Sequence, residues 1–340
     1  MIHEIANYTQ QLWTQGRKTK KSQSGWLSGN AVCCQHRGES ADTRQRGGVM
    51  TQADGAVSYH CFNCQFKTGY QPGRPLGFKF KRWLKWLGVD DGEINRLVIE
   101  AMRVKDLVKP EQLAPEQEEI SFEPRALPEQ AQSFMALADF YELNNWSNVP
   151  TGYTESVKYV HERRVDMQRY EFYWTPETAH KLAHRVIVPF YYRRQLVGWT
   201  ARAFFPGIKP KYHSDHPSNF VFNLDQQAHN NKFVIVCEGP FDAMSIDGVA
   251  VLGADISEQQ AELIDNLNKQ VIVVPDWDGT GNQLIDRAVE YGWSVSFPLW
   301  RETCKDINDA VDRYGKLFVL KDILTNVESN ALKIKLRSKQ

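Results

Sequence analysis

The sequence predicts a multidomain α/β protein with three folded parts. These are a small β domain near the N-terminus, a mixed α+β subdomain with basic side chains, and a C-terminal α/β domain with a central, largely parallel sheet. Four of the six cysteines lie in the first 64 residues, a Pro/Glu-rich segment follows them, and short apolar runs alternate with amphipathic stretches over residues 232–315. Such alternation is typical of parallel strands covered by helices, and 340 residues suit two or three domains.

Composition narrows the class of protein. Hydrophobic residues make up 42% and charged residues 24% of the chain, which is typical of globular proteins. No apolar run approaches the 18 residues of a membrane span. The first five residues lack the cationic and apolar regions of a secretory signal. We therefore expect a soluble, cytoplasmic protein that does not bind a membrane.

Charge is distributed unevenly along the chain. Residues 1–88 carry 13 basic and 4 acidic residues, whereas the remainder carries 28 and 37. A basic first quarter indicates contact with a polyanion such as nucleic acid. A solvated basic face is the alternative.

The clustered cysteines form two chelating pairs. Cys33 and His36 are three positions apart, as are Cys61 and Cys64, and 24 residues separate the two pairs. Two such pairs complete a tetrahedral zinc site with no open position, so we predict one structural Zn²⁺ bound by Cys33, His36, Cys61 and Cys64. The adjacent Cys34 leaves open which of the two neighbouring cysteines binds, although the spacing favours Cys33.

The middle of the chain contains a helical stretch and a spacer. Apolar residues recur at helical spacing over about 78–105, with a break at Gly88. Prolines and glutamates alternate over residues 108–130, which predicts a semi-rigid linker. Extended segments become frequent from Val186 onward.

The C-terminal alternation places acidic residues at strand ends. Glu238 follows a predicted strand at 233–236, and Asp276 and Asp278 follow another at 271–274. In an open α/β sheet, functional residues gather at the carboxyl ends of the strands. Three clustered carboxylates repel one another unless cations neutralise them, and such oxygen ligands suit Mg²⁺. Further acids follow at Asp306 and Asp309.

These motifs resemble those of a known domain. Residues 238–243 (EGPFDA), 276–279 (DWDG) and 306–309 (DIND) resemble the motifs of the toprim domain, which is shared by primases, topoisomerases and some nucleases. The order of zinc ribbon, linker, basic segment and toprim domain is similar to that of DNA primases, and the size resembles that of the small primases of T-even-type bacteriophages. The resemblance covers residues 30–70 and 185–315. It departs in the first zinc pair, which is Cys-Cys-x-His.

The resemblance implies roles for individual residues. Glu238, Asp276 and Asp278 would be catalytic and would hold Mg²⁺, with Mn²⁺ as a substitute, and Asp242, Asp306 and Asp309 are second-tier candidates. Segments around Arg185, Arg202 and Lys211 are similar to the basic subdomain that precedes toprim in primases. These three cations would face phosphates of the template or of the incoming nucleotide.

We accordingly predict a primase, a DNA-directed RNA polymerase that makes short RNA primers on single-stranded DNA for lagging-strand replication. The implied partners are template DNA, ribonucleoside triphosphates and a replicative hexameric helicase, and the compartment is the host cytoplasm if a phage encodes the protein. The alternatives are a toprim-type nuclease and a non-catalytic zinc-ribbon DNA-binding replication adaptor. The predicted domains are residues 1–75 (zinc ribbon), 76–130 (helical segment and linker), 131–230 (basic subdomain), 231–325 (toprim domain) and 326–340 (basic tail).

Overall fold

The computed structural model describes residues 2–37, 39–107, 120–176, 181–227, 231–267, 269–277 and 282–339. The chain divides into two units. We call Met1–Glu119 with Glu290–Gly292 the N-terminal unit, and Ile120–Val289 with Trp293–Gln340 the C-terminal unit. Asp278 and the linker residues 108–119 lie outside the described residues.

The N-terminal unit combines an antiparallel sheet with helices. Within its described residues the strand order is β1-β2-β3-β4-β5, and each neighbouring pair is antiparallel. Its elements are α1 (Glu4–Thr14), β1 (Lys20–Lys21), β2 (Leu27–Gly29), α2 (Cys33–His36), β3 (Gly47–Thr51), β4 (Val57–Cys61), β5 (Lys67–Tyr70), α3 (Phe78–Trp86) and α4 (Asp91–Leu107).

One hydrophobic core joins this sheet to helix α1, which precedes it in the sequence, and to helices α3 and α4, which follow it. Trp13 of α1 packs against Tyr59 of β4, with ring centroids 5.6 Å apart. Tyr59 in turn packs against Trp83 of α3 at 4.6 Å. The same cluster of buried residues extends to Leu97 and Ala101 of α4. The predicted boundary at residue 75 therefore cuts through a single core, because α3 and α4 cover apolar surface that so short a sheet cannot bury alone.

The C-terminal unit begins with a second antiparallel sheet. Its order within the described residues is β10-β9-β8-β7-β6, and β8–β9 is its longest strand pair. The elements of this part are β6 (Gln132–Ser133), α5 (Phe134–Leu143), α6 (Thr151–Glu162), β7 (Tyr173–Trp174), β8 (Arg185–Tyr192), β9 (Gln195–Ala203) and β10 (Tyr212–Asp215).

A largely parallel sheet follows, as predicted. Its order within the described residues is β12-β11-β13-β14-β15, and only the pair β14–β15 is antiparallel. Its strands are β11 (Phe233–Cys237), β12 (Val249–Ala250), β13 (Gln270–Val273), β14 (Ser294–Ser296) and β15 (Val327–Glu328). The accompanying helices are α7 (Pro240–Ile246), α8 (Glu258–Asp265), α9 (Asn282–Tyr291), α10 (Ile307–Tyr314), α11 (Lys316–Thr325) and α12 (Ala331–Arg337).

Two segments predicted to lie outside the folded parts belong to the C-terminal unit. Phe122, within the predicted linker, is buried and packs against Tyr192 and Phe220 with ring centroids 4.9 and 5.6 Å away. The predicted basic tail supplies β15 and α12, where Ile334 is fully buried. Single apolar residues among charged neighbours anchor both segments. No helix among the described residues has the length and apolar character needed to cross a bilayer.

Candidate active site and metal centre

The four N-terminal cysteines converge on one point. The sulfur atoms of Cys33, Cys34, Cys61 and Cys64 all lie within 4.8 Å of one another. Cys33 Sγ is 3.4 Å from Cys64 Sγ, and Cys34 Sγ is 3.5 Å from Cys61 Sγ. Sulfurs 2.3 Å from a zinc ion form a tetrahedron with edges of about 3.8 Å. The spacing and the all-sulfur donor set therefore fit a structural Zn²⁺ site.

The predicted ligand set needs correction at one position. His36 does not join the sulfur cluster, because its ring stacks on Trp86 of α3 with centroids 5.0 Å apart and planes 6° apart. Cys33 and Cys34 both open the short helix α2 and are fully buried. Cys34 thus occupies the place predicted for His36. The sequence left open whether Cys33 or Cys34 is a ligand, and the structure places both sulfurs in the cluster.

The loop that carries the first cysteine pair is organised by one buried carboxylate. Asp42 accepts hydrogen bonds from the backbone N–H groups of Ala31 (2.8 Å), Arg44 (2.9 Å) and Arg46 (2.7 Å). The Arg46 side chain adds an ion pair at 3.0 Å. Although burial disfavours the charge, these donors lower the pKa of Asp42 below its usual value. Burial raises the pKa of the Cys33 thiol, so only a bound cation would favour a thiolate there.

The backbone of one predicted strand-end acid, Asp276, contacts the carboxylate of another, Glu238. Glu238 directly follows β11, and the backbone N–H of Asp276, beyond β13, donates to Glu238 Oε1 at 3.3 Å. Both side chains are half-buried. The next N–H, that of Trp277, donates to the carbonyl of Lys305 at 2.7 Å. These bonds bring the three acidic motifs together at one edge of the sheet.

A third carboxylate lies beneath this edge. Asp242 on α7 is buried and accepts a hydrogen bond from the Asn308 N–H at 2.9 Å. Burial, followed by the charge of Asp306, raises the pKa of Asp242. A Cβ at Gly239 would lie 2.7 Å from Asp242 Oδ2, so any larger residue at this position would displace the Asp242 carboxylate. Asp242 is therefore a buried member of the acidic cluster, which we define as Glu238, Asp242, Asp276 and Asp306.

The other second-tier acids differ in their contacts. Asp306 caps α10 by accepting the Asp309 N–H at 2.7 Å, and it lies 3.9 Å from the Lys305 ammonium. Asp309 lies 3.6 Å from the same ammonium and is 40% exposed. Lys305, which directly precedes the 306–309 motif and for which no role was predicted, thus places a positive charge beside Asp306 and Asp309.

A basic pocket lies beside the acidic cluster within the C-terminal unit. Its volume is about 740 Å³, and Arg163, Arg202 and Lys211 line it together with Tyr159. The Arg202 guanidinium hydrogen-bonds the hydroxyl groups of Tyr159 and Tyr212. Burial and the nearby cations Arg202, Lys305 and Arg163 lower the pKa of Lys211. Cations crowded in this way favour an anionic ligand.

Neighbouring contacts tie this pocket to the acidic cluster. The guanidinium of Arg202 lies 5.2 Å from the ring centroid of Phe241, the residue before Asp242. Arg163 donates to the Asn308 side chain at 2.8 Å, and Asn308 also bonds Asp242. Arg163 was not predicted as a site residue. Its position at the end of α6 becomes informative only when the fold brings α6 to α10.

Arg185 does not line the pocket, contrary to the prediction that it faces a phosphate. Its side chain is 1% exposed, and its guanidinium donates to four carbonyl groups, at 2.6–3.3 Å, those of Lys181, Ala201, Pro210 and Lys211. A guanidinium held in this way has little remaining capacity to bind a ligand. Arg185 instead fixes the backbone that presents Lys211.

Comparison with known proteins supports the toprim assignment for part of the chain. Residues 235–311 match the family described as Toprim-like, a range that includes the whole acidic cluster and also Asp278. No curated protein matched the chain.

Similar solved structures are primases. The Aquifex aeolicus primase (zinc-binding and RNA polymerase domains) is 16% identical with a TM-score of 0.44, covering 95% of this chain and 83% of that one. The RNA polymerase domain of Mycobacterium tuberculosis primase DnaG is 15% identical with a TM-score of 0.46, covering 60% and 85%. The E. coli primase catalytic core is 18% identical with a TM-score of 0.41, covering 56% and 78%.

Proposed function

We propose that this protein is a primase that joins ribonucleotides on a single-stranded DNA template. The observation that carries the proposal is the acidic cluster in a Toprim-like segment, placed directly beside a pocket lined by three cations. Nucleotidyl transfer requires both features, since the reaction uses divalent ions and a polyanionic substrate. A binding adaptor would require neither.

Glu238 and Asp276, with Asp278, are the residues that would hold the catalytic ions, Mg²⁺ or Mn²⁺. When bound, such ions stabilise negative charge on the attacking and leaving oxygens. Asp242 supports the cluster from below through Asn308. Asp306 supports it as the cap of α10.

The cations of the basic pocket would bind the triphosphate. In the reaction the primer 3′-hydroxyl attacks the α-phosphorus, a new P–O bond forms, and the bond to pyrophosphate breaks. Arg202 and Lys211 would contact phosphate oxygens, and Arg163 would position this wall through its bond to Asn308. Their positive charge offsets repulsion between the triphosphate and the acidic cluster.

The N-terminal unit would bind the template. Its basic residues match a polyanionic strand, and the cysteine cluster with one Zn²⁺ would hold its loops in place. A replicative hexameric helicase is the further partner that we propose for lagging-strand synthesis, within the primosome.

Incubation with labelled ribonucleotides, single-stranded DNA and Mg²⁺ tests the proposal. We expect template-dependent oligoribonucleotides from the wild-type protein and loss of this product in Glu238→Gln. The control variant Glu142→Gln, which changes an exposed carboxylate on α5, should make as much product as wild type. Shortening of the template without RNA product would instead indicate a toprim nuclease. Retention of product by Glu238→Gln would reject the proposed metal site.

A further inference from the structure

The basic pocket has a second wall of a different character. Arg163, Arg202 and Lys211 give the pocket its charged lining. The segment 204–208 adds an apolar lining that consists of Phe204, Phe205, Pro206 and Ile208. These four side chains contain no hydrogen-bonding atom. A volume of about 740 Å³ lies within the range of about 300–1,000 Å³ typical of small-molecule sites. The pocket therefore suits a ligand with a polyanionic part and a flat apolar part.

The aromatic wall is held in place before any ligand binds. The Phe204 N–H donates to the His184 carbonyl at 3.1 Å, and the rings of Phe204 and Phe205 lie 4.8 Å apart. The His184 ring meets Phe205 edge-on, with centroids 5.2 Å apart and planes at 65°. Phe205 nevertheless remains 39% exposed. Because Phe205 also lines the pocket, its exposed ring is available to a ligand bound beside Arg202 and Lys211.

We propose that Phe205 stacks on the nucleobase of the incoming ribonucleoside triphosphate while Arg202 and Lys211 contact its phosphates. This inference rests on the proposed function and extends it to a base-binding residue. Because the wall offers no donor or acceptor, it would not distinguish the four bases. The pocket would then accept every nucleotide and leave selection to pairing with the template, as templated synthesis requires.

Calorimetric titration of the full-length protein with ATP and with tripolyphosphate, both in Mg²⁺, separates the two walls. Stacking of one base on an aromatic ring contributes about 1–3 kcal/mol, so Phe205→Ala should weaken ATP binding by about fivefold or more. Its affinity for tripolyphosphate, which has no base, should stay within about twofold of wild type by the same reasoning. Phe205→Trp should retain ATP binding, whereas Phe205→Leu, which keeps apolar bulk without a ring, should weaken it.

The matched control is Phe318→Ala, which removes an exposed phenylalanine of α11 that does not line the pocket; its affinity for ATP should equal that of wild type. Equal loss of ATP and tripolyphosphate affinity in Phe205→Ala, or loss of neither, would overturn the inference. If Phe205→Ala weakened the binding of single-stranded DNA but not that of ATP, the aromatic wall would belong to the template site, and the inference would also be overturned. A wild-type protein that binds ATP and makes primers while Phe205→Ala behaves normally would leave the proposed function standing without this inference.

Discussion

The cysteine cluster and the acidic cluster, at which we propose Zn²⁺ and Mg²⁺, differ in how the fold assembles them. In the cysteine cluster, three of the four thiols are buried and all four donors come from two short segments attached to one core. In the acidic cluster, Glu238 and Asp276 are half-buried and come from separate strand ends of a parallel sheet. In our proposal, the four sulfurs would complete the coordination of one ion at the first site, whereas the carboxylates of the second would leave coordination positions for substrate. A metal site with only protein ligands is suited to a structural role, whereas a site with open coordination positions is suited to catalysis.

The largest expected effect concerns the closed site. Cys34→Ser should remove most of the zinc, from about one ion per chain to less than about 0.1, because a structural site depends on all four thiolates. His36→Gln should leave the zinc content unchanged, since His36 stacks on Trp86 instead of joining the sulfurs. Metal analysis of both purified variants checks this pair. Zinc loss in His36→Gln together with zinc retention in Cys34→Ser would restore the ligand set predicted from sequence.

A substitution in the acidic cluster should lower activity without changing the stability of the fold. Glu238→Gln should lower the rate of primer synthesis by at least about 100-fold, comparable to the loss of one charge-stabilising group in other active sites. Its thermal unfolding should match wild type, because Glu238 is half-buried at a loop and does not pack in the core. Single-turnover rates and melting curves measure the two quantities. A melting temperature lowered in proportion to activity would make Glu238 a structural residue.

Substitutions of Lys211 and Arg185 should have different effects, because Lys211 is proposed to bind nucleotide and Arg185 to hold the backbone in place. Lys211→Ala should raise the KM for nucleotide by about tenfold or more, since a hydrogen bond to a charged group contributes about 1.5–3 kcal/mol. Arg185→Met should instead lower the free energy of unfolding by about 1–3 kcal/mol, because it leaves buried carbonyls unpaired. Denaturant titration and steady-state kinetics distinguish them. A tenfold rise in KM for Arg185→Met at unchanged stability would return Arg185 to the phosphate site.

The smallest effect should appear around the cysteine loop. Asp42→Asn keeps the shape of the side chain but removes the charge that accepts four hydrogen bonds from Ala31, Arg44 and Arg46. We expect the free energy of unfolding of the N-terminal unit to fall by about 1–2 kcal/mol at pH 7. Chemical denaturation of the zinc-loaded protein, followed by tryptophan fluorescence, measures this change. An unchanged unfolding midpoint would show that the loop is held by other contacts.

The sequence predicted those features that depend on local pattern. The apolar runs at 233–236 and 271–274 became β11 and β13. Strand-end position also predicted the approach of Glu238 to Asp276. The strands are signalled by runs of a few residues, and the parallel arrangement then brings their carboxyl ends to one edge.

Features that depend on distant packing were not predicted. Helix α1 was not predicted either, even though its signal is local: Ile5, Thr9 and Trp13 recur every four residues and are buried. His36 has the spacing of a ligand, and only the presence of Trp86 explains why its ring lies elsewhere. Arg185 has the charge of a phosphate ligand, but the carbonyls that surround it come from residues 181, 201, 210 and 211. Such partners are visible only after folding.

We propose that Glu238 and Asp276 hold divalent ions at the edge of the parallel sheet. Crystals soaked with Mn²⁺ and a non-hydrolysable ribonucleoside triphosphate, measured at the manganese absorption edge, test it most directly. We expect an anomalous peak within about 2.5 Å of carboxylate oxygens of both residues, as for hard cations bound by oxygen ligands. A peak elsewhere, or none beside these two side chains while nucleotide is bound, would contradict the claim.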